Sequence, residues 1–266
     1  MNKDIKQIHR ECIEWIRNWF AENGPDCKAV IGISGGKDST VVAALCVEAL
    51  GADRVIGVLM PNGEQSDIDD AYRLVYHLDI KFTVQDIDKI YGEFLRNMEY
   101  PIGGNIYRIC QTEQTKINLP PRIRMATLYA ISQSVNGRVA NTCNLSEEYI
   151  GYSTRWGDNV GDFAPLRWLT CSQVIEVGEM LGLPKELIYK SPADGLTGKT
   201  DEDVFGFSYD DLDEYIETSE CSNFEAQAKI EALHEKNLFK EMDCIPAFEP
   251  QWIFEYRLEN WRDKLI

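Results

Sequence analysis

Paired cysteines, long apolar runs and basic residues are all scarce in this sequence of 266 residues. Its eight cysteines occur singly, without a C-x-x-C pair, which favours reduced thiols in the core over a zinc site or a disulfide framework. No apolar run approaches the roughly 18 residues of a membrane-spanning helix. The start of the chain leads into an amphipathic segment rather than an apolar signal sequence. We therefore expect a cytoplasmic protein with no membrane partner.

The shortage of basic residues bears on the kind of partner. There are 27 Lys and Arg against 44 Asp and Glu, a formal net charge of −17. Binding to a nucleic-acid backbone requires a basic face, so we expect no nucleic-acid partner. Between Thr200 and Ala228 there are ten acidic residues and no Lys or Arg. This run is typical of a solvated acidic surface.

Short apolar segments alternate with helical patterns along the first half of the chain. The predicted strands are 28–33, 54–60, 80–84 and 137–142, and the main predicted helices are 3–22, 67–77, 86–97 and about 121–135. This order predicts an α/β fold, a doubly wound, mostly parallel open sheet with helices on both faces. We expect one domain over 1–266, with a nucleotide-binding core at about 25–145 and a mostly helical portion at about 146–266.

The loop Ser34-Gly35-Gly36-Lys37-Asp38-Ser39 joins the first buried strand to a helix. Its glycines allow backbone amides to approach an anion, and the helix N-terminus favours negative charge. The serine hydroxyls can donate to phosphate oxygens, Lys37 adds positive charge, and Asp38 is suited to a magnesium ion held beside phosphate. The alternative is a glycine-rich turn with an N-capping side chain.

The S-G-G-x-D-S pattern of this loop resembles the signature of the adenine nucleotide α-hydrolases, or N-type ATP pyrophosphatases. This resemblance implies that the loop binds pyrophosphate and that the enzyme transfers AMP to an oxygen of its substrate. The loop alone does not distinguish NAD, GMP, asparagine and argininosuccinate synthetases from tRNA-thiolating enzymes.

Further motifs narrow the choice. In chain order they include Arg122-x-Arg124-Met125, Asn144-x-Ser146-Glu147, Gly151-Tyr152-x-Thr154-Arg155, Lys190-x-Pro192 and Gly206-x-x-Tyr209. From about residue 25 to about residue 250 the series resembles the ammonia-dependent NAD synthetases. The resemblance implies ATP- and magnesium-dependent adenylation of the nicotinate carboxylate of deamido-NAD. Ammonia then displaces AMP, giving NAD, AMP and pyrophosphate.

The resemblance also implies roles for individual residues. The ATP-binding set is Gly32, Ile33, Ser34, Gly35, Gly36, Lys37, Asp38, Ser39, Thr142 and Lys190. Asp38 and Glu147 ligate magnesium, and with Ser34 and Ser39 they form the catalytic set. The deamido-NAD set is Arg122, Arg155, Asp162 and Lys240. Simpler roles remain open for three of these residues: a turn hydroxyl for Thr142, a helix first-turn acid for Glu147, and a surface lysine for Lys190.

Three positions depart from the family pattern. Leu59 stands where some members have an ATP-contacting Arg, Cys171 where an ATP-contacting Lys is common, and Ala193 where a Ser or Thr hydroxyl is found. Whether these changes weaken ATP binding stays open at this point. Two other functions remain as alternatives: an N-type ATP pyrophosphatase acting on another substrate such as tRNA, and a non-catalytic nucleotide-binding protein.

The nitrogen source and the assembly follow from the same resemblance. Only about 30 residues precede the loop, so we expect no glutamine-hydrolysing domain and predict free ammonia as substrate, unless a separate glutaminase supplies it.

The resemblance also implies a homodimer, since the family forms homodimers. The aromatic side chains Trp15, Trp19 and Phe20 are candidates for the dimer contact, with core packing as the alternative.

Overall fold

The computed structural model describes residues 4–65, 68–99, 110–190, 200–240 and 248 of the chain. Within these residues a four-stranded parallel sheet has the order β3-β2-β1-β4. The strands are β1 Lys28–Gly32, β2 Val55–Leu59, β3 Lys81–Val84 and β4 Gly137–Val139. From β1 the chain adds β2 and β3 on one side and later β4 on the other. The order therefore reverses between β1 and β4, where ligands of such sheets bind beyond the strands' carboxyl ends.

Eleven α-helices lie within the described residues. They are α1 Ile5–Asn23, α2 Lys37–Leu50, α3 Ile68–His77, α4 Asp88–Glu99, α5 Glu113–Ser134, α6 Leu145–Tyr149, α7 Cys171–Met180, α8 Lys185–Ile188, α9 Asp201–Phe205, α10 Tyr209–Thr218 and α11 Phe224–Asn237. None of these helices combines the length and apolar character needed to cross a membrane.

The sheet is covered by helices on both faces, as the sequence predicts. Successive side chains of a strand point to opposite faces. Ala29 and Ile31 of β1 join a core with residues of α1, α2 and α7, whereas Val30 joins a second core with residues of α5. A third apolar cluster includes residues of α9, α10 and α11. All members of this last cluster lie after residue 146.

Two predicted boundaries were wrong. The helix predicted from about residue 121 begins at Glu113, because the Thr112 side chain caps its first turn by accepting from the Thr115 amide at 3.2 Å, and Pro120 and Pro121 lie inside it. The strand predicted over 137–142 ends at Val139. Beyond β4, Ala140 forms a single bridge to Phe163.

The aromatic residues of α1 pack inward. Phe20 is buried, Trp19 stacks on Phe163 at 5.1 Å between ring centroids, and Trp15 meets Phe248 edge-on at 6.0 Å. These contacts agree with the core-packing alternative for this helix, and its role in a dimer contact stays a prediction.

Candidate active site

The loop Ser34–Ser39 lies at the carboxyl end of β1, next to the point where the strand order reverses. Gly36 is the N-cap of α2 and has no side chain to occupy the free amides of the first turn. The Ser34 and Ser39 hydroxyl oxygens are 3.1 Å apart, and the Gly36 amide donates to Ser34 Oγ at 3.2 Å. The loop thus holds two hydroxyls and a helix N-terminus together, the chemistry that binds phosphate.

Lys37 is the buried cation of the loop, with only 3 % of its surface exposed. Its Nζ donates to Asp38 at 2.9 Å and lies 5.2 Å from the centroid of the Tyr209 ring. Burial lowers the pKa of Lys37, but the negative charges of Asp38 and Glu147 outweigh this effect, and the pKa is raised. The ammonium group therefore stays protonated at neutral pH.

Asn144 connects the two predicted metal carboxylates. Its side-chain nitrogen donates to Asp38 at 2.8 Å, while its side-chain oxygen accepts from the Glu147 amide at 3.0 Å. Its own backbone amide donates back to the Glu147 carboxylate, which completes a capping box at the start of α6. Burial raises the pKa of Glu147 well above its usual value, and the nearby negative charge of Asp38 raises it further.

The arrangement suits a cation that is shared with a ligand. Two carboxylates lie close enough to interact, and among the described residues no group of three or more His, Cys, Asp or Glu forms a complete metal site. Magnesium commonly binds one or two carboxylates and completes its shell with water and phosphate oxygens. The residues present therefore fit magnesium held together with the phosphates of a nucleotide.

A cavity opens beside the loop. The side chains that line it are Lys37, Cys171, Ser172, Ile175, Ile188, Tyr189, Lys190, Thr200, Glu202, Tyr209 and Asp210. Lys190 Nζ also pairs with Asp70 at 2.8 Å, and Asp70 packs close to Gly35 of the loop. The cavity thus brings Lys190 near the loop Ser34–Ser39, and its role in binding ATP stays a prediction.

Two tyrosines and an aspartate form the wall above Lys37. The Tyr152 and Tyr209 hydroxyls donate to the two oxygens of the Asp201 carboxylate at 3.1 and 3.3 Å. Burial raises the pKa of Asp201, and these two hydrogen bonds oppose that rise. This wall fixes the Tyr209 ring next to the buried lysine.

The predicted deamido-NAD residues Arg122, Arg155 and Lys240 meet on the loop after α6. The Arg122 guanidinium donates to the Arg155 carbonyl at 3.2 Å, and Lys240 Nζ donates to the Gly151 and Ser153 carbonyls at 2.7 and 3.1 Å. The Arg155 Nε is buried and has no hydrogen-bond partner among the described residues.

Asp162 and Thr142 are the remaining predicted residues of the site. An oxygen of the Asp162 carboxylate accepts from the Val139 amide at 2.7 Å, so this side chain also holds the end of β4. Thr142 is half-buried in the segment that leads from β4 to α6. In the same segment, Asn141 donates to the Asp158 carbonyl at 3.1 Å, and Asn144 reaches Asp38. The segment therefore connects the loop Ser34–Ser39 with the loop that carries Arg155.

The three departures from the family pattern have different settings. Leu59 is fully buried in the core at the end of β2, so it is not placed to contact a ligand. Cys171 does line the cavity, at the start of α7, and burial raises the pKa of its thiol to about 12. Ala193 lies outside the described residues.

Sequence reasoning assigned no role to Asn144 or Tyr209, although both stand within the quoted motifs. Asn144 is fully buried, and it lies at the end of the segment that leads from β4 to α6. A polar residue at that position of a parallel sheet is a signal that could have identified it. Tyr209 gave no comparable signal, because its contact with Lys37 joins positions far apart in the sequence.

Comparison with known proteins decides the family. Residues 8–243 match the model of the NAD synthase family. The chain belongs to this family. An NH3-dependent NAD synthetase of Pyrococcus horikoshii is 39% identical over 214 residues, covering 80% of this chain and 78% of the relative. That of Methanococcus aeolicus is 42% identical over 190 residues, covering 70% and 72%.

Solved structures of this family share the fold. An NMN synthetase from Francisella tularensis is 31% identical, with a TM-score of 0.81, and the match covers 92% of this chain and 99% of that one. An NH3-dependent NAD synthetase from Campylobacter jejuni is 28% identical, with a TM-score of 0.70, covering 91% and 99%. The predicted family and fold class are confirmed, and neither alternative function is favoured.

Proposed function

We propose that the protein is an ammonia-dependent NAD synthetase, an ATP-dependent ligase that forms the amide of NAD from the nicotinate carboxylate of deamido-NAD. The observation that carries this proposal is that Asn144 links Asp38 to Glu147. Asp38 belongs to the loop Ser34–Ser39, to which we assign phosphate binding and which is called the phosphate loop below. A sensor that only binds a nucleotide has no need of two carboxylates beside its phosphate loop.

ATP is assigned to the loop and the adjoining cavity. The Ser34 and Ser39 hydroxyls, the free amides of α2 and the ammonium group of Lys37 would hold the β- and γ-phosphates. Gly32 and Ile33 lead the chain into this loop at the end of β1, and Lys190 lies on the other side of the cavity. We assign Thr142 to the adenosine part of ATP because it lies beyond the end of the neighbouring strand.

Magnesium is assigned to Asp38 and Glu147. When bound, it would neutralise phosphate charge and make the pyrophosphate a better leaving group. The protein's own contribution is to hold both carboxylates toward the nucleotide, which Asn144 does through its side chain and its backbone.

Deamido-NAD is assigned to the loop after α6. The guanidinium groups of Arg122 and Arg155 suit phosphate and carboxylate recognition through their planar donor forks. Lys240 contributes positive charge near Asp158, and burial lowers its pKa while that carboxylate opposes the change. Asp162 offers a carboxylate at the edge of the same region.

The chemistry follows from placing two anions in contact. A carboxylate does not react with ammonia until one of its oxygens becomes part of a good leaving group. Attack of that oxygen on the α-phosphorus of ATP forms the acyl-adenylate and releases pyrophosphate. Ammonia then attacks the acyl carbon and AMP departs. The site contributes by positioning both reactants and by offsetting their negative charge.

A second candidate concerns the substrate and not the chemistry. The fold agrees with an NMN synthetase at a TM-score of 0.81, above the 0.70 found for an NH3-dependent NAD synthetase. The same adenylation and amidation applied to nicotinate mononucleotide would give NMN.

A direct assay separates these candidates. We expect protein supplied with ATP, magnesium and ammonium to convert deamido-NAD into NAD with equimolar AMP, and to use nicotinate mononucleotide at a lower kcat/KM. Product formation is followed by chromatography. Faster turnover of the mononucleotide would establish the second candidate, and a folded, ATP-binding protein that forms neither amide would contradict both.

The same assay tests the nitrogen source. We expect ammonium to support the reaction and glutamine alone to give none, since relatives named NH3-dependent match this chain over most of their length. Activity with glutamine that appears only after adding a glutaminase would agree with a separate ammonia supply. Activity with glutamine alone would contradict the assignment.

We also infer a homodimer, with its contact at α4 and α5 and not at α1. Helix α4 packs on the protein through Tyr91 and Leu95, whereas Ile90 and Phe94 are 54 % and 51 % exposed. Ile117 of α5 is also exposed, at 50 %. Exposed apolar side chains on two helices that pack against each other are typical of a protein interface.

Phe94→Glu is expected to convert the dimer to a monomer, because it places a charge in this apolar contact. Light scattering after size-exclusion chromatography measures the mass. Phe224→Glu is the matched control, since Phe224 is 84 % exposed on α11. A Phe94→Glu variant that stays dimeric would contradict this choice of surface.

A cytoplasmic location completes the proposal. The seven cysteines within the described residues are free thiols, as expected in a reducing compartment.

A further inference from the structure

Asp213 of α10 is a buried carboxylate that the proposed chemistry does not use. It is 6 % exposed, and it accepts hydrogen bonds from three donors. These are the Ser146 hydroxyl, the Ser172 hydroxyl at 2.6 Å and the Ser172 amide at 2.8 Å. The Ser146 oxygen in turn accepts from the Cys171 amide at 2.9 Å. One side chain therefore joins the first turns of α6 and α7 to α10.

Each of these three helices presents a side chain to the active site. Glu147 of α6 directly follows Ser146, Cys171 begins α7 at the cavity, and Tyr209 of α10 covers Lys37. Helix α6 has only five residues. A helix this short is not stable without tertiary contacts, so its direction depends on what its first turn is bound to.

We propose that Asp213 is a positioning residue, which fixes α6 so that the Glu147 carboxylate faces the metal position beside Asp38. This inference rests on the proposed metal role of Glu147. Groups that orient a metal ligand matter nearly as much as the ligand, and their loss typically lowers metal affinity or activity about 10- to 100-fold. Asn144 holds the backbone of Glu147 from one side, and Asp213 holds its neighbour Ser146 from the other.

Direct metal binding tests the proposal. Mn²⁺ replaces magnesium as a probe, and α,β-methylene-ATP fills the nucleotide site without being cleaved between its α- and β-phosphates. The electron paramagnetic resonance signal of free Mn²⁺ then gives the dissociation constant. We expect Asp213→Ala to raise this constant about tenfold or more. The kcat should fall while the KM for deamido-NAD stays within about twofold, because the Arg155 loop is not held by Asp213.

Two variants separate positioning from general stability. Asp213→Asn keeps the size and an accepting oxygen, so it should recover most of the Mn²⁺ affinity. Glu214→Ala is the matched control on the same helix. Glu214 also accepts from a serine amide and hydroxyl, those of Ser222 at 3.2 and 2.8 Å, but it is exposed. It should bind Mn²⁺ like the wild type.

Ser146→Ala keeps the test decisive if Asp213→Ala does not fold. It removes the hydroxyl that links Asp213 to Cys171 and should weaken Mn²⁺ binding in the same direction. Wild-type Mn²⁺ affinity in folded Asp213→Ala or in folded Ser146→Ala would overturn the proposal, and so would equal weakening in Glu214→Ala.

Glu147→Gln distinguishes failure of this inference from failure of the proposed function. If Glu147→Gln leaves Mn²⁺ binding unchanged, the metal role of Glu147 is wrong, and the inference falls with it. If Glu147→Gln weakens binding but Asp213→Ala does not, only the positioning role is wrong.

Discussion

Replacing Asp38 with alanine is expected to abolish formation of the acyl-adenylate while the protein still folds. Asp38 lies in the first turn of α2 and accepts from both Lys37 and Asn144. The change removes one of two carboxylates available to magnesium and the main ion-pair partner of a buried lysine. Because a bound cation contributes several kcal/mol of charge stabilisation, the rate should fall at least about a hundredfold.

The measurement is deamido-NAD-dependent release of pyrophosphate, with circular dichroism and thermal unfolding to confirm the fold. Asp69→Ala is the matched control, because Asp69 is also a first-turn acid, on α3, and is exposed. It should react at the wild-type rate. Near-normal turnover by Asp38→Ala would show that the metal assignment is wrong.

Gly35→Ala is expected to destroy ATP binding and to destabilise the fold. Gly35 has a φ of +80°, a conformation that side chains other than glycine rarely adopt, and an added Cβ would lie 2.9 Å from the Ala71 amide nitrogen. The same Cβ would lie 3.0 Å from the Cβ of Asp70, the partner of Lys190. The loop must therefore move away from α3. We expect a loss of about 1 to 3 kcal/mol in the free energy of unfolding from the backbone conformation alone.

Gly51 is the matched control, because its substitution has the backbone cost of Gly35→Ala without the steric clash. Gly51 also has a positive φ, +87°, but an added Cβ there meets nothing within 4 Å. Gly51→Ala should lower the free energy of unfolding without changing ATP affinity. Calorimetric titration with α,β-methylene-ATP measures binding, and thermal unfolding measures stability. If Gly35→Ala binds the nucleotide like Gly51→Ala, the loop is not the phosphate site.

Most of the α/β core could be predicted from the sequence because its signals are local. The buried run before Ser34 predicts β1, since a strand covered on both faces is continuously apolar. Gly51 caps the C-terminus of α2, and a glycine after a helical pattern is also a local signal. The start of α5 was predicted too late because two prolines argue against a helix interior, whereas the Thr112 cap extends the helix through them.

Only part of the candidate site could be predicted from local signals in the sequence. The loop Ser34–Ser39 carries its chemistry in six consecutive residues, so its composition and its position after a strand were enough to propose phosphate binding. Glu147 has no such local signal. Its place beside Asp38 depends on β4 lying next to β1, which brings Asn144 to the loop across a long stretch of sequence.

The amino-acid sequence alone was sufficient to identify the family and the fold class and to propose the phosphate loop, because each depends on short motifs or on the alternation of strand and helix. Tertiary structure decided the rest. It packed the α1 aromatics into or against the core, buried Leu59 completely, and placed Cys171 with Lys37 in the lining of the cavity. It also placed Asn144 in hydrogen-bond contact with Asp38 and with the Glu147 amide, and Asp213 in contact with Ser146 of the same short helix. Such contacts join residues far apart in sequence, and only the packing of the helices against the sheet brings them together.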